Sequence, residues 1–251
     1  MDSRVTLLKE FYGGLPADRV KVETYEHGFP FLDQLLMSGV ALEYGEIAAA
    51  GLLHKFKLSG VTEEAMDALL LSHIGKTRNV CLYFGEKVNS LFCYNLDNNH
   101  KTNNTELIPE MKCTVTLLRD ILIGLGCEPL VIASGRGYHL WCRLEGQVDN
   151  NKLYDFMLRT MARAFLGLHQ QGYDHNKIKA NFYPDPRAHN TVSLRLFGSD
   201  HAKNKVFSRI LSRDGLLDED ASWNAFEHHL REKTISIVAF HDAYASLLAS
   251  I

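Results

Sequence analysis

Val131-Ile132-Ala133-Ser134-Gly135-Arg136-Gly137-Tyr138-His139-Leu140-Trp141 carries the strongest local signal in the chain. Two short apolar runs flank a turn that holds two glycines. Runs of this length, bounded by turn residues, read as paired strands. The glycines permit positive φ and close backbone approach, so the turn can present N–H groups to an anion. Ser134 and His139 add side-chain donors that a hairpin does not require. The plainer alternative is a β-hairpin with a core histidine.

Working outward, residues 80–84 and 90–96 read as two more strands around Gly85-Glu86-Lys87. Residues 109–126 read as a helix, with Pro109 at its start and Gly124 and Gly126 near its end. Beyond the hairpin, 151–168 reads as an amphipathic helix. Residues 178–183, 191–197 and 206–211 read as strands, 218–233 as a helix and 235–251 as a last one. Strands in hairpins among helices predict an α+β fold, with a mixed or antiparallel sheet and flanking helices.

Residues 1–75 read as an N-terminal helical segment. Leu7, Leu8 and Phe11 form one stripe at helical spacing, and Phe31, Leu32, Leu35, Leu36 and Val40 form another. Residues 41–58 are rich in Ala and Leu and lack Pro. Thr62-Glu63-Glu64 supplies an N-cap and an acidic first turn. No motif in this segment carries chemistry. The expected division is therefore 1–75 as a helical segment and 76–251 as the core.

Bulk properties narrow the function. The chain has 251 residues, 46% hydrophobic and 23% charged, as in ordinary soluble proteins. A formal net charge of −3 argues against wrapping duplex DNA through phosphate contacts alone, although a local basic groove would suffice for nucleic acid. The five cysteines form no C-x-x-C pair, which argues against a zinc ribbon and a disulfide framework. They read as buried residues in a reducing compartment. No secretory signal is evident and no apolar run approaches the ~20 residues needed to cross a bilayer. The expectation is a cytoplasmic protein without a membrane partner.

Two further clusters flank the hairpin in sequence. In Leu91-Phe92-Cys93-Tyr94-Asn95-Leu96-Asp97-Asn98-Asn99 an apolar strand ends in polar residues at i and i+2. Alternation puts Asn95 and Asp97 on one face. Two oxygen ligands so placed can hold Mg²⁺ or Mn²⁺, although a polar turn is the plainer reading. In Val192-Ser193-Leu194-Arg195-Leu196-Phe197-Gly198-Ser199-Asp200-His201-Ala202-Lys203, Arg195 lies inside an apolar strand. An unpaired charge there is costly, so it should face a partner or ligand. Ser199, His201 and Lys203 follow with donors that suit a polyphosphate; a solvated loop is the alternative.

In order, the three clusters give an acid-bearing strand end, Ser-Gly-x-Gly-x-His, and Arg-x-x-x-Ser-x-His-x-Lys. This series resembles the archaeo-eukaryotic primase superfamily, which includes primase small subunits and primase-polymerases. The resemblance spans roughly residues 79–212. It implies a primase-type core that adds an NTP or dNTP to a 3′-hydroxyl on a template and releases pyrophosphate.

The resemblance also implies roles for residues. Asp97, with Asn95 where the family carries its first Asp, would hold Mg²⁺ or Mn²⁺. Asp185 would be the third acid, with Asp174 as second choice. Ser134 and His139 would contact the triphosphate, and Arg136 in the turn would add a phosphate contact. Arg195, Ser199, His201 and Lys203 would bind its β- and γ-phosphates. Tyr138, Trp141 and Phe182 could stack a base or belong to the core. Expected partners are a nucleoside triphosphate, single-stranded or primer-template nucleic acid, and a partner subunit or domain.

Asn95 departs from the family pattern because an amide brings oxygen without charge. Three explanations compete: a natural site with weaker or altered catalysis, a binding-only descendant, and an Asp→Asn change that traps substrate. The alternative function is a catalytically reduced domain that binds nucleotide or nucleic-acid ends within a larger assembly.

Overall fold

The computed structural model describes residues 2–13, 19–25, 30–48, 53–98, 108–188, 193–202 and 205–249. The elements run in chain order α1 (Ser3–Tyr12), β1 (Arg19–Thr24), α2 (Pro30–Met37), β2 (Ala41–Ala48), β3 (Leu53–Ser59), α3 (Glu63–Ile74) and β4 (Arg78–Tyr83). Next come β5 (Val88–Asn98), α4 (Pro109–Gly124), β6 (Leu130–Ala133), β7 (Gly137–Asp149), α5 (Asn150–Gln170) and β8 (Ile178–Tyr183). The last are β9 (Ser193–Arg195), β10 (Arg209–Ile210), α6 (Glu219–Glu232) and α7 (Ile237–Ala249). The fold is α+β, as expected, and every strand pairing within the two sheets is antiparallel.

The chain divides into two compact units. One comprises residues 1–85 and 188–208, the other 86–187 and 209–251. Their borders differ from the expected 75/76 division.

The first unit has a five-stranded sheet in the order β2-β3-β1-β4-β9. In the stretch 41–58, expected to be helical, Ala41–Ala48 and the residues from Leu53 on instead form β2 and β3, and β1 is a third strand within the supposed helical segment. The physical reason is period. Leu53-His54-Lys55-Phe56-Lys57-Leu58 places Phe56 and Leu58 inward and Lys55 and Lys57 outward, and β1 alternates Val20 and Val22 with Arg19, Lys21 and Glu23. A two-residue alternation of this kind outweighs Ala and Leu content in choosing strand over helix. Helix α3 begins as expected, with the Thr62 hydroxyl accepting from the Ala65 N–H at 3.2 Å.

The second unit has a five-stranded sheet in the order β10-β6-β7-β5-β8. Phe92, Tyr94 and Leu96 of β5 share one face with Tyr138, Leu140 and Cys142 of β7. Apolar faces of α4, α5 and α7, including Leu118, Phe156 and Phe240, cover it. Within this core the Tyr94 hydroxyl shares a 2.6 Å hydrogen bond with Thr160, so its polar atom is satisfied. The strand expected over 206–211 is reduced to two residues, Arg209–Ile210, paired with Ala133 and Ile132. Four of the five cysteines are buried and Cys113 is half-buried. Among the described residues no helix is long and apolar enough to cross a membrane.

Candidate functional site

In the second unit the helices cover one face of the sheet, and alternation sends the polar residues of β5 to the other. Register then decides their neighbours. Asn95 lies between His139 on β7 and Asn181 on β8, and Asp97 lies between Gly137 and Lys179. Directly opposed residues in an antiparallel pair point to the same face. Asn95, Asp97, His139, Asn181 and Lys179 therefore share one surface.

Asn95 is 9% exposed, and its side-chain oxygen is buried without a hydrogen-bond donor among the described residues. An orphan of this kind is costly unless a ligand or cation satisfies it. Asp97 is half-buried and forms no ion pair among the described residues. Two hard oxygen donors, one of them anionic, fit a Mg²⁺ or Mn²⁺ ion.

The turn between β6 and β7 sits beside this row. The Ser134 N–H donates to the Gly137 carbonyl at 2.9 Å, and Gly135 adopts φ +95°. Ser134 and His139 are buried, while Arg136 is exposed. Gly137 is required for a different reason. A Cβ there would lie 1.8 Å from the Leu96 carbonyl oxygen and 3.1 Å from a carboxylate oxygen of Asp97. The absent side chain is what lets β7 approach β5 at the acid.

Asp185 is engaged elsewhere. Its carboxylate accepts from the backbone N–H and Nε of Arg187, each at 2.9 Å, and from Nη2 at 2.9 Å. This guanidinium holds the Asp185 carboxyl below the usual range. Arg187 lies over the ring of Tyr154 on α5 and donates to its hydroxyl. Tyr154 in turn packs edge-on against Phe182 on the helix-covered side of the sheet. Asp174, the second choice, accepts from the Asn176 N–H at 2.9 Å and caps a short 3-10 turn. Among the described residues no group of three or more His, Cys, Asp or Glu side chains could hold a metal ion. Tyr138 and Trp141 are buried, and Phe182 packs against the core.

The third cluster belongs to the first unit. Arg195 ends β9 opposite Cys81, and its Nη1 donates to the Ser199 carbonyl at 3.3 Å. That carbonyl also accepts from the Ser208 N–H at 3.2 Å and the Ser208 hydroxyl at 3.0 Å. Gly198, at φ +98°, makes the bend that brings Ser199 back under Arg195. Next comes a tight bridge, in which the His201 N–H donates to the Val206 carbonyl at 2.8 Å. Arg195 and Ser199 are buried, and His201 is half-buried. Lys203 lies outside the described residues.

Sequence reading missed His73, Tyr12, Lys179 and Asn181. The polar-apolar alternation of Lys179-Ala180-Asn181-Phe182 is a usable signal for the last two, but only register shows that they oppose Asp97 and Asn95. Nothing in sequence flags His73. It is fully buried; its Nδ1 accepts from the Val80 N–H at 3.0 Å, so Nε2 carries the proton it gives to the Phe197 carbonyl at 3.0 Å. Burial is the main reason its pKa falls to about 3.

No protein-family model and no curated protein matches the chain. Among solved structures, the polymerase domain of Mycobacterium tuberculosis ligase D in complex with DNA is similar at 11% identity with a TM-score of 0.44, covering 98% of this chain and 87% of that one. The AEP domain of the cyanophage S-2L primase-polymerase is also similar, at 11% identity with a TM-score of 0.40, covering 90% of this chain and 97% of its own.

Proposed function

We propose that the chain is a primase-polymerase-type domain of the archaeo-eukaryotic primase superfamily, which binds a nucleoside triphosphate with a divalent cation and transfers the nucleotide to a 3′-hydroxyl of nucleic acid. The observation that carries this reading is the orphaned Asn95 oxygen beside the Asp97 carboxylate, in the same row as His139. It joins on one sheet face two motifs that the sequence keeps about forty residues apart. Asn95 and Asp97 would hold Mg²⁺ or Mn²⁺, which when bound lowers the pKa of an attacking hydroxyl and offsets charge on departing pyrophosphate. Ser134 and His139 offer donors of the kind that bind phosphate oxygens, and on the sequence pattern Arg195, Ser199 and His201 are assigned to the β- and γ-phosphates. Lys203 and Arg136 are assigned the same role, and Asp185 that of third acid, on the sequence pattern alone.

Replacing Arg195 by Ala is expected to weaken binding of ATP or dATP by roughly one to two orders of magnitude, the loss of one charge-assisted contact. Calorimetric titration checks this. If Arg195→Ala and His139→Ala together leave affinity unchanged, the assignment fails.

A second reading is that the domain binds nucleotide or nucleic-acid ends without transfer. The pairing of Asp185 with Arg187 favours it, because among the described residues it leaves Asp97 as the only carboxylate on the row. A template-dependent extension assay with Mn²⁺ separates the two. Extension by the chain as it stands supports transfer; extension only by Asn95→Asp marks an impaired enzyme, and none by either leaves binding. Asn95→Asp is also expected to raise Mn²⁺ affinity about tenfold, since it adds an anionic ligand at a site already facing a carboxylate.

A further inference from the structure

We infer that Tyr12 and His73 are positioning residues for the Phe197–Ser199 turn, and so for the phosphate-binding donors of the first unit. The residue just before the Gly198 bend has both of its backbone polar groups gripped by side chains. The Phe197 N–H donates to the Tyr12 hydroxyl at 3.2 Å. The Phe197 carbonyl accepts from His73 Nε2 at 3.0 Å, and the other ring nitrogen of His73 is pinned by the Val80 N–H. The preceding Leu196 N–H is held by the Val80 carbonyl at 3.1 Å. Three consecutive peptide groups are thus fixed, from β4, α1 and α3 in turn.

This grip sets the course of the next residues. Past Gly198 the chain reverses, and the Ser199 carbonyl takes three donors from Arg195 and Ser208. A glycine bend transmits no rigidity of its own. Arg195 is placed by the pairing of β9 with β4 and Ser199 by the donors to its carbonyl, so holding Phe197 fixes the short link between the two. Imidazole suits this task because one ring accepts and donates in opposite directions, and burial keeps it neutral. Tyr12 and His73 both lie within residues 1–75, where no sequence motif carries chemistry, and the clamp gives that segment a role. The consequence for ligand rests on the proposed triphosphate binding; the clamp itself does not.

The test uses the full chain. Hydrogen exchange is measured across Phe197–Ser199 and across β1 and β3, and affinity is measured with inorganic triphosphate, for wild type, Tyr12→Phe, His73→Phe and His73→Gln. Tyr12→Phe removes one hydroxyl and should speed exchange at Phe197 about tenfold while β1 and β3 keep their protection. Triphosphate should bind about tenfold more weakly. His73→Phe should lose at least as much, and His73→Gln, whose amide N–H can still reach the Phe197 carbonyl, should recover most of it. If His73→Phe does not fold, Tyr12→Phe decides. Wild-type exchange at Phe197–Ser199, or wild-type affinity in variants that only melt lower, overturns the inference. A wild-type chain that binds no triphosphate overturns the functional reading instead, and exchange then judges the clamp alone.

Discussion

Acidification from pH 8 to pH 4.5 is expected to destabilise each unit by roughly 2–3 kcal/mol, through one buried histidine apiece. His73 in the first unit is held down to about pKa 3, chiefly by burial, with the Arg195 charge adding to the effect. His229 in the second is held to about 4, again chiefly by burial, with the Glu128 carboxylate opposing. Both start from 6.5 in the unfolded chain. The native state therefore refuses a proton that the unfolded state accepts. Stability is fully present above pH 6.5 and falls by about 1.4 kcal/mol per pH unit per histidine as pH drops toward the folded values. His73 has a structural reason as well: a proton on Nδ1 would face the Val80 N–H that this nitrogen now accepts.

Denaturant titrations at steps of half a pH unit check this. The only two tryptophans, Trp141 and Trp223, lie in the second unit, so fluorescence follows that unit and hydrogen exchange follows the first. His229→Gln should flatten the fluorescence-detected dependence. Midpoints that stay level between pH 6.5 and 4.5 would contradict the assignment.

The second large effect is expected at Gly137. Substitution by Ala places a methyl 1.8 Å from a backbone oxygen of β5, which no rotamer change relieves. The strands must part where Asp97 opposes Gly137, at a cost of about 3 kcal/mol or more. Because the separation occurs at the acid, divalent-cation and nucleotide affinity should fall with stability. Gly124→Ala is the control. Gly124 ends α4, and a Cβ there meets nothing within 4 Å. That change should leave stability equal or raise it by up to about 1 kcal/mol. Thermal melts of the two variants compare them directly, and similar melting temperatures would refute the steric explanation.

Much of the second unit is legible in the sequence because its signals are local. Pro109 opens α4, Ser134-Gly135-Arg136-Gly137 turns between β6 and β7, and Asp218 caps α6 with its carboxylate accepting from the Ala221 N–H. The first unit is harder to read, because the alternation of Val20 and Val22 in β1 and of Phe56 and Leu58 in β3 lies between apolar stripes at helical spacing, such as Leu7, Leu8 and Phe11, that favour a helical reading. Asp185 fits the sequence pattern for a third acid, but Arg187, two residues on, takes up its carboxylate.

The α+β class, the hairpin, most of the helix starts and each of the three polar clusters are thus legible along the chain. Each of these depends on residues within a few positions of one another. The folded chain adds that Asn95 stands between His139 and Asn181, that its oxygen has no donor among the described residues, and that Tyr12 and His73 grip Phe197. Those facts come from strand register and from contacts between segments up to 185 residues apart, which are set by hydrogen-bond pairing and burial across the fold and leave no periodic trace along the chain.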